Sequence, residues 1–137
     1  TLQQSSAASD VYKRQIVNSV SNIYHDLIIV YGCGGERDSS ERGKIMKFTC
    51  ANSRKVIFTS DNCRNESFQS ILDDSKKDQE YSNLIVEPDR KQAIKNGIDA
   101  LKEDDILLIL GKGHEEFQEI KGTKIPFNDQ RVVEEIL

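Results

Sequence analysis

The chain predicts an α/β fold, a doubly wound, mostly parallel sheet with an antiparallel edge hairpin, on three observations. Leu27–Tyr31 (LIIVY) and Ile106–Leu110 (ILLIL) are uninterrupted apolar runs, the composition of strands buried on both faces. Each ends in glycine-rich punctuation, Gly32-Cys33-Gly34-Gly35 and Gly111-Lys112-Gly113, where the backbone can take turns that other residues resist. Between them, short apolar runs alternate with segments of helical spacing, the pattern of βαβ units. The arrangement implied is Rossmann-like.

The elements follow in order. Ser5–Gln15 (SSAASDVYKRQ) reads as a translated sequencing-library adaptor, so residues 1–15 are expected to be a non-native tail and are left out of the fold. Residues 16–137 are expected to form one domain. Ile16–His25 has apolar residues at helical spacing. The strand Leu27–Tyr31 leads through the charged loop Glu36–Arg42 to a short helix, Lys44–Ser53. Lys55–Thr59 (KVIFT) is the second strand and ends in Ser60-Asp61-Asn62-Cys63-Arg64. Ser67–Asp74 suits a helix with Phe68, Ile71 and Leu72 on one face. Leu84–Val86 is a third strand, and Asp89 is placed to cap a helix Arg90–Leu101 with Ala93, Ile94, Gly97, Ile98 and Leu101 inward. After Ile106–Leu110, Phe117–Ile120 and Thr123–Phe127 surround Lys121-Gly122 as a hairpin. Asn128 or Asp129 then caps a last helix through Ile136.

Composition excludes several classes. The 137 residues are 36% hydrophobic and 31% charged, with a formal charge of −4, which suits one domain with a sizeable core. The acidic balance argues against nucleic-acid binding, which needs a basic face. No apolar run approaches the roughly 20 residues that cross a membrane, and the N-terminus lacks the pattern of a signal peptide, so a cytoplasmic setting is expected. Cys33, Cys50 and Cys63 are odd in number, without a CxxC pair, and His25 and His114 complete no metal-ligand spacing with them. No metal site is expected, and Cys33 and Cys50 read as small buried thiols.

Two familiar phosphate motifs fail. A GxGxxG fingerprint from Gly32 needs glycine where Arg37 stands, and a P-loop needs Ser or Thr where Ile45 follows Gly43-Lys44. The joint pattern is more informative. Three strands end in loops with directional charged groups: Arg37, then Asp61, Asn62 and Arg64, then Lys112, His114 and Glu115. Parallel strands place these loops on one sheet edge, where open α/β sheets bind ligands. Guanidinium grips a carboxylate by paired hydrogen bonds, carboxylates suit an ammonium, and Asn donates and accepts. The set describes a pocket for a zwitterionic, amino-acid-like ligand.

GCGGERD (Gly32–Asp38), TSDNCR (Thr59–Arg64), VEPDR (Val86–Arg90), LGKGHE (Leu110–Glu115) and KIPFND (Lys124–Asp129) occur in the order found in Mur ligases. The chain most resembles the C-terminal domain of the branch that adds meso-diaminopimelate. The resemblance implies an ATP-dependent acid–amino-acid ligase of cytoplasmic peptidoglycan synthesis, serving cell-wall biogenesis, cell shape and division. It would join meso-diaminopimelate to UDP-N-acetylmuramoyl-L-alanyl-D-glutamate through an acyl phosphate, with ATP and magnesium. The family's phosphate loop, magnesium-binding carbamylated lysine and nucleotide-sugar domain should lie upstream, so this chain is expected to bind the amino acid and not to ligate. By the same resemblance Arg37, Asp61, Asn62, Cys63, Arg64, Gly111 and Glu115 are substrate-binding positions, with Arg64 on the distal carboxylate. Lys112 and His114 receive no role, and no catalytic residue is expected here. Cys63 stands where the family's DNPR motif has proline, and Ser39–Lys44 departs from its KxKRP-like run and is one residue longer. The alternative function is a noncatalytic α/β module that binds a small anionic metabolite or nucleotide.

Overall fold

A computed structural model describes residues 2–4, 15, 17–19, 26–36, 39–112 and 115–137. Strands β1 (Leu2–Gln4), β2 (Leu27–Tyr31), β3 (Lys55–Phe58), β4 (Leu84–Val86) and β5 (Ile106–Leu110) form one sheet in the order β1-β5-β2-β3-β4. Every neighbouring pair is parallel, with Val30 opposite Ile57 on one side and Ile109 on the other. Helices α1 (Arg42–Ala51) and α2 (Phe68–Lys76) cover one face, and α3 (Arg90–Asp99) and α4 (Asp129–Ile136) the other.

The two-residue period of a strand divides the core between these faces. Leu27, Ile29, Tyr31, Ile106, Leu108 and Leu110 pack with Ile45, Met46, Ile71 and Leu72 of α1 and α2. Ile28, Val30, Leu107 and Ile109 pack with Ala93, Ile94, Val132 and Val133 of α3 and α4. Both faces of β2 and β5 are therefore dry, which is why their sequences are apolar throughout. Cys33, Cys50 and Cys63 are all buried.

Side-chain caps fix where three helices begin. Ser67 accepts from the Ser70 amide at 3.0 Å, Asp89 from those of Lys91 and Gln92, and Asn128 from that of Arg131 at 3.0 Å. Helix α1 begins two residues before the sequence-expected Lys44, because Arg42 is drawn inward by partners across the fold.

Two features differ from expectation. Leu2–Gln4, set aside with residues 1–15, pairs with Leu107–Ile109 as an edge strand. Strands β6 (Phe117–Ile120) and β7 (Thr123–Pro126) pair antiparallel as expected, but as a separate two-stranded sheet, not as the edge of the main one. Their tight turn, Lys121-Gly122, has φ of +52° and +76°, the two positive values of a type I′ hairpin turn. A backbone bridge between Arg64 and Ile120 ties the hairpin to the loop that follows β3. Of the helix expected over Ile16–His25, residues 17–19 are helical with Val17 in the core, and the remainder lies outside the described residues. No helix among the described residues is long and apolar enough to cross a membrane.

Candidate functional site

The first connections run β2 to β3 to β4 on one side, and the chain then returns to place β5 on the other side of β2. This reversal opens a crevice beyond the carboxyl ends of β2 and β5, the position at which such sheets hold ligands. The loops after β2, β3 and β5 meet there.

The first two loops are laced together. The Gly35 amide donates to Asn62 O at 2.7 Å, and a Cβ on Gly35 would lie 1.9 Å from Cys63 O, so only glycine fits this approach. The Glu66 carboxylate accepts from the Glu36 amide at 3.1 Å, and the Glu36 carboxylate accepts from the Asn65 amide at 3.2 Å. Beneath them the buried Arg42 donates to both Glu66 oxygens, at 2.8 and 3.0 Å, and to Gly34 O at 2.9 Å. The hydrogen bond with Arg42 holds the Glu66 carboxyl below the usual range and raises the guanidinium.

The third loop leaves β5 at Gly111, whose φ of +119° is a glycine conformation. Lys112 then turns inward and is fully buried. Its Nζ donates to Asn62 Oδ1 at 3.1 Å and to Phe117 O, with Asp61 Oδ1 3.9 Å away. Asn62 Oδ1 also accepts from the Glu119 amide at 2.9 Å, which fixes the side-chain amide and turns Nδ2 toward the Glu115 carboxylate, 3.4 Å from each oxygen.

Arg64 has a left-handed backbone, φ +55°, held by the hairpin: its amide donates to Glu119 O at 2.9 Å and its carbonyl accepts from the Lys121 amide. Its Nη1 donates to Gly35 O at 3.0 Å and Asn62 O at 3.2 Å, while Nε faces Glu119 Oε1 at 3.3 Å. Among the described residues Nη2 has no partner.

Asn62, Arg64 and Glu115 thus line one open cleft of about 320 Å³, together with Phe117, Glu119 and Lys124 of the hairpin. Asp61 and Cys63 lie beneath it, 6% and 4% exposed, and do not line it. Asp61 Oδ1 caps the Asn62 amide at 2.8 Å. The Cys63 amide donates to Asp61 O at 3.0 Å, a bond that proline could not make, and burial pushes its thiol pKa up. Gly111 is buried at the root of its loop. Arg37, Gly113 and His114 lie outside the described residues. No three His, Cys, Asp or Glu side chains among the described residues are grouped to hold a metal ion. The chemistry within reach is recognition of a bipolar ligand.

Sequence reasoning gave no site role to the residues that brace this rim, and read Asp129 only as a candidate helix cap. Arg90 and Asp129 are both fully buried and meet edge on, Nε to Oδ1 and Nη2 to Oδ2, each at 2.7 Å. Arg90 also donates to Ser60 O at 3.0 Å and Leu110 O at 3.2 Å, which ties the ends of β3 and β5 to α3 and α4. Burial works against its charge, and Asp129 more than offsets this. One signal was present: a cation at the first turn of a helix opposes the helix dipole, so Arg90 needed a partner elsewhere. Gln118 likewise turns inward, with Nε2 donating to Ser60 Oγ at 2.6 Å and Asp61 O at 3.0 Å.

The chain resembles known proteins along most of its length. A family model described as "Mur ligase, glutamate ligase domain" matches residues 8–113. The UDP-N-acetylmuramoyl-L-alanyl-D-glutamate--2,6-diaminopimelate ligase of Aquifex aeolicus is 48% identical over 116 residues, covering 81% of this chain and 23% of that protein. The Helicobacter pylori ligase of the same name is 40% identical over 123 residues, covering 89% of this chain and 27% of that protein. A solved structure of a ligase so named superposes with a TM-score of 0.89 at 31% identity, over 98% of this chain and 28% of the other. The chain spans about a quarter of the length of the curated relatives it matches. It belongs to the Mur ligase family and corresponds to that family's C-terminal domain.

Proposed function

We propose that this chain is the amino-acid-binding domain of an ATP-dependent ligase of cytoplasmic peptidoglycan synthesis. The whole enzyme adds meso-diaminopimelate to UDP-N-acetylmuramoyl-L-alanyl-D-glutamate through an acyl phosphate. The observation that carries this reading is the convergence of Asn62, Arg64 and Glu115, from two loops, on one cleft. Its cation, anion and amide match the carboxylate and ammonium groups of an amino acid. The names of the relatives supply the identity of that amino acid and of the acceptor.

Arg64 offers Nη2 to the distal carboxylate of diaminopimelate, the group that separates it from lysine. Glu115 and Asn62 hold the ammonium side of the ligand. Gly111 lets the loop of Glu115 turn into place, Asp61 and Cys63 set the loop of Asn62 and Arg64 from beneath, and Arg37 contacts the ligand from the loop after β2. ATP and magnesium bind mainly on parts of the enzyme outside these residues. This domain's contribution to the rate is proximity: it presents the amine to the acyl phosphate, and closure against the rest of the enzyme excludes water.

The test is calorimetric titration of the 137-residue chain with meso-diaminopimelate and L-lysine, beside an assay for amide formation with ATP and the nucleotide dipeptide. The chain should prefer diaminopimelate, bind it weakly and form no amide. Arg64→Ala should cost at least about tenfold in diaminopimelate affinity, the scale of one lost charge-assisted hydrogen bond, and abolish the preference. Equal affinities for both amino acids before and after the substitution would refute the assignment.

A further inference from the structure

The hairpin β6–β7 places a carboxylate where a ligand's would be expected. Glu119 is anchored at both backbone ends, its amide donating to Asn62 Oδ1 and its carbonyl accepting from Arg64 N, both at 2.9 Å. Its side chain is therefore directed over the cleft, with Oε1 3.3 Å from Arg64 Nε. Both side chains remain partly in solvent, 21% exposed for Arg64 and 30% for Glu119.

A guanidinium binds a carboxylate best edge on, through two parallel N–H bonds. Arg90 shows this within the same molecule, gripping Asp129 by its Nε and Nη2. On Arg64 the other side of the group is spent, since Nη1 donates to two backbone carbonyls. The Nε–Nη2 edge is what remains, and Glu119 stands beside its Nε end as an ion pair at 3.3 Å, without a hydrogen bond to it. An incoming carboxylate must either bind by Nη2 alone, close to a like charge, or displace Glu119.

We propose that Glu119 is a specificity-determining residue, an internal counter-ion that a ligand carboxylate must replace on Arg64. This rests on the proposed function of the cleft. Glu119 weakens the grip on the distal carboxylate of diaminopimelate and lessens the penalty for lysine, whose side chain ends in an ammonium. It tempers the discrimination that Arg64 supplies. Lys124, opposite Glu119 across the hairpin and also lining the cleft, gives the displaced carboxylate a second cation to turn toward.

The experiment titrates the full chain with meso-diaminopimelate and with L-lysine, comparing wild type, Glu119→Gln, Glu119→Ala, Arg64→Ala and the Arg64→Ala/Glu119→Gln pair. Thermal melting accompanies each titration. Both Glu119 variants should bind diaminopimelate about three- to tenfold more tightly, as expected for removing one nearby like charge in a partly solvated site. Lysine affinity should stay level or fall, and the gain should shrink in high salt. The pair should show no gain, because the effect runs through Arg64. A merely structural Glu119 would lose affinity for both amino acids, and that result, unchanged diaminopimelate affinity, or no binding in any variant overturns the proposal. If Arg64→Ala abolishes the preference while the Glu119 variants fail to sharpen it, only the role of Glu119 fails. If Arg64→Ala has no effect, the reading of the cleft fails with it.

Discussion

Lys112 buries an ammonium with no side-chain surface in water, and burial holds its pKa below the usual lysine range. Its value to the site is directional. By donating to Asn62 Oδ1 and Phe117 O it fixes the amide that faces Glu115 and the first residue of the hairpin. Lys112→Met should take one donor from Asn62 Oδ1, which keeps the Glu119 amide, and one from Phe117 O, and cost about 1–3 kcal/mol in denaturant unfolding. The pH dependence carries a sign. Between the lowered folded value and the unfolded value of about 10.4, the unfolded chain binds more protons, so Lys112 makes stability rise with pH there. That rise should vanish in Lys112→Met; an identical slope in both proteins would show that the ammonium is not the group responsible. The loop residues Asn62, Arg64 and Glu115 were legible as site residues because each follows a recognisable strand. Lys112 was not, because nothing in GKGHE tells a lysine that points inward from one in solvent. Asp61 was legible by position but not by orientation, since its burial depends on groups from β5 and the hairpin.

At the scale of elements, continuous apolar composition located β2 and β5 to the residue, and Asp89 marked a helix start by its own chemistry, while Ser67 was read as the first residue of its helix and Asn128 shared the last cap with Asp129. The hairpin was legible from Lys121-Gly122, but its position was not. Which sheet it joins is decided by Arg64, far away in sequence and in an unusual left-handed conformation that exposes both its amide and its carbonyl to the hairpin. The result is a small sheet that buttresses the cleft instead of extending the main sheet. Its turn can be tested apart from the core, because nothing lies within 4 Å of a Cβ built on Gly122. Gly122→Val therefore meets only backbone strain, about 1–3 kcal/mol for a β-branched residue at positive φ. Amides of residues 117–126 should exchange faster, and diaminopimelate affinity should fall, while β2 and β5 keep their protection. Unchanged exchange in the hairpin would mean that its turn does not hold it over Arg64.

The molecule as a whole depends on whether two halves of the sheet stay in register at their carboxyl ends. Arg90 and Asp129 decide this, because the guanidinium reaches Ser60 O beyond β3 and Leu110 O at the end of β5 while Asp129 anchors it from α4. Removing one charge from such a pair strands the other without water. Asp129→Asn should cost about 3–5 kcal/mol. That is a large part of the 5–15 kcal/mol by which domains are usually stable. An apolar pair of similar volume, Arg90→Met with Asp129→Leu, should recover much of the loss, since burying two ions carries its own desolvation cost. Function should not recover with it. With the guanidinium gone, Ser60 O and Leu110 O lose their shared donor, and the loops bearing Asn62, Arg64 and Glu115 lose their common brace. Guanidinium denaturation and diaminopimelate titration of the apolar pair should therefore part company, with stability regained and binding at least about tenfold weaker. Binding at the wild-type level would show that the buried pair holds the fold together without setting the geometry of the cleft.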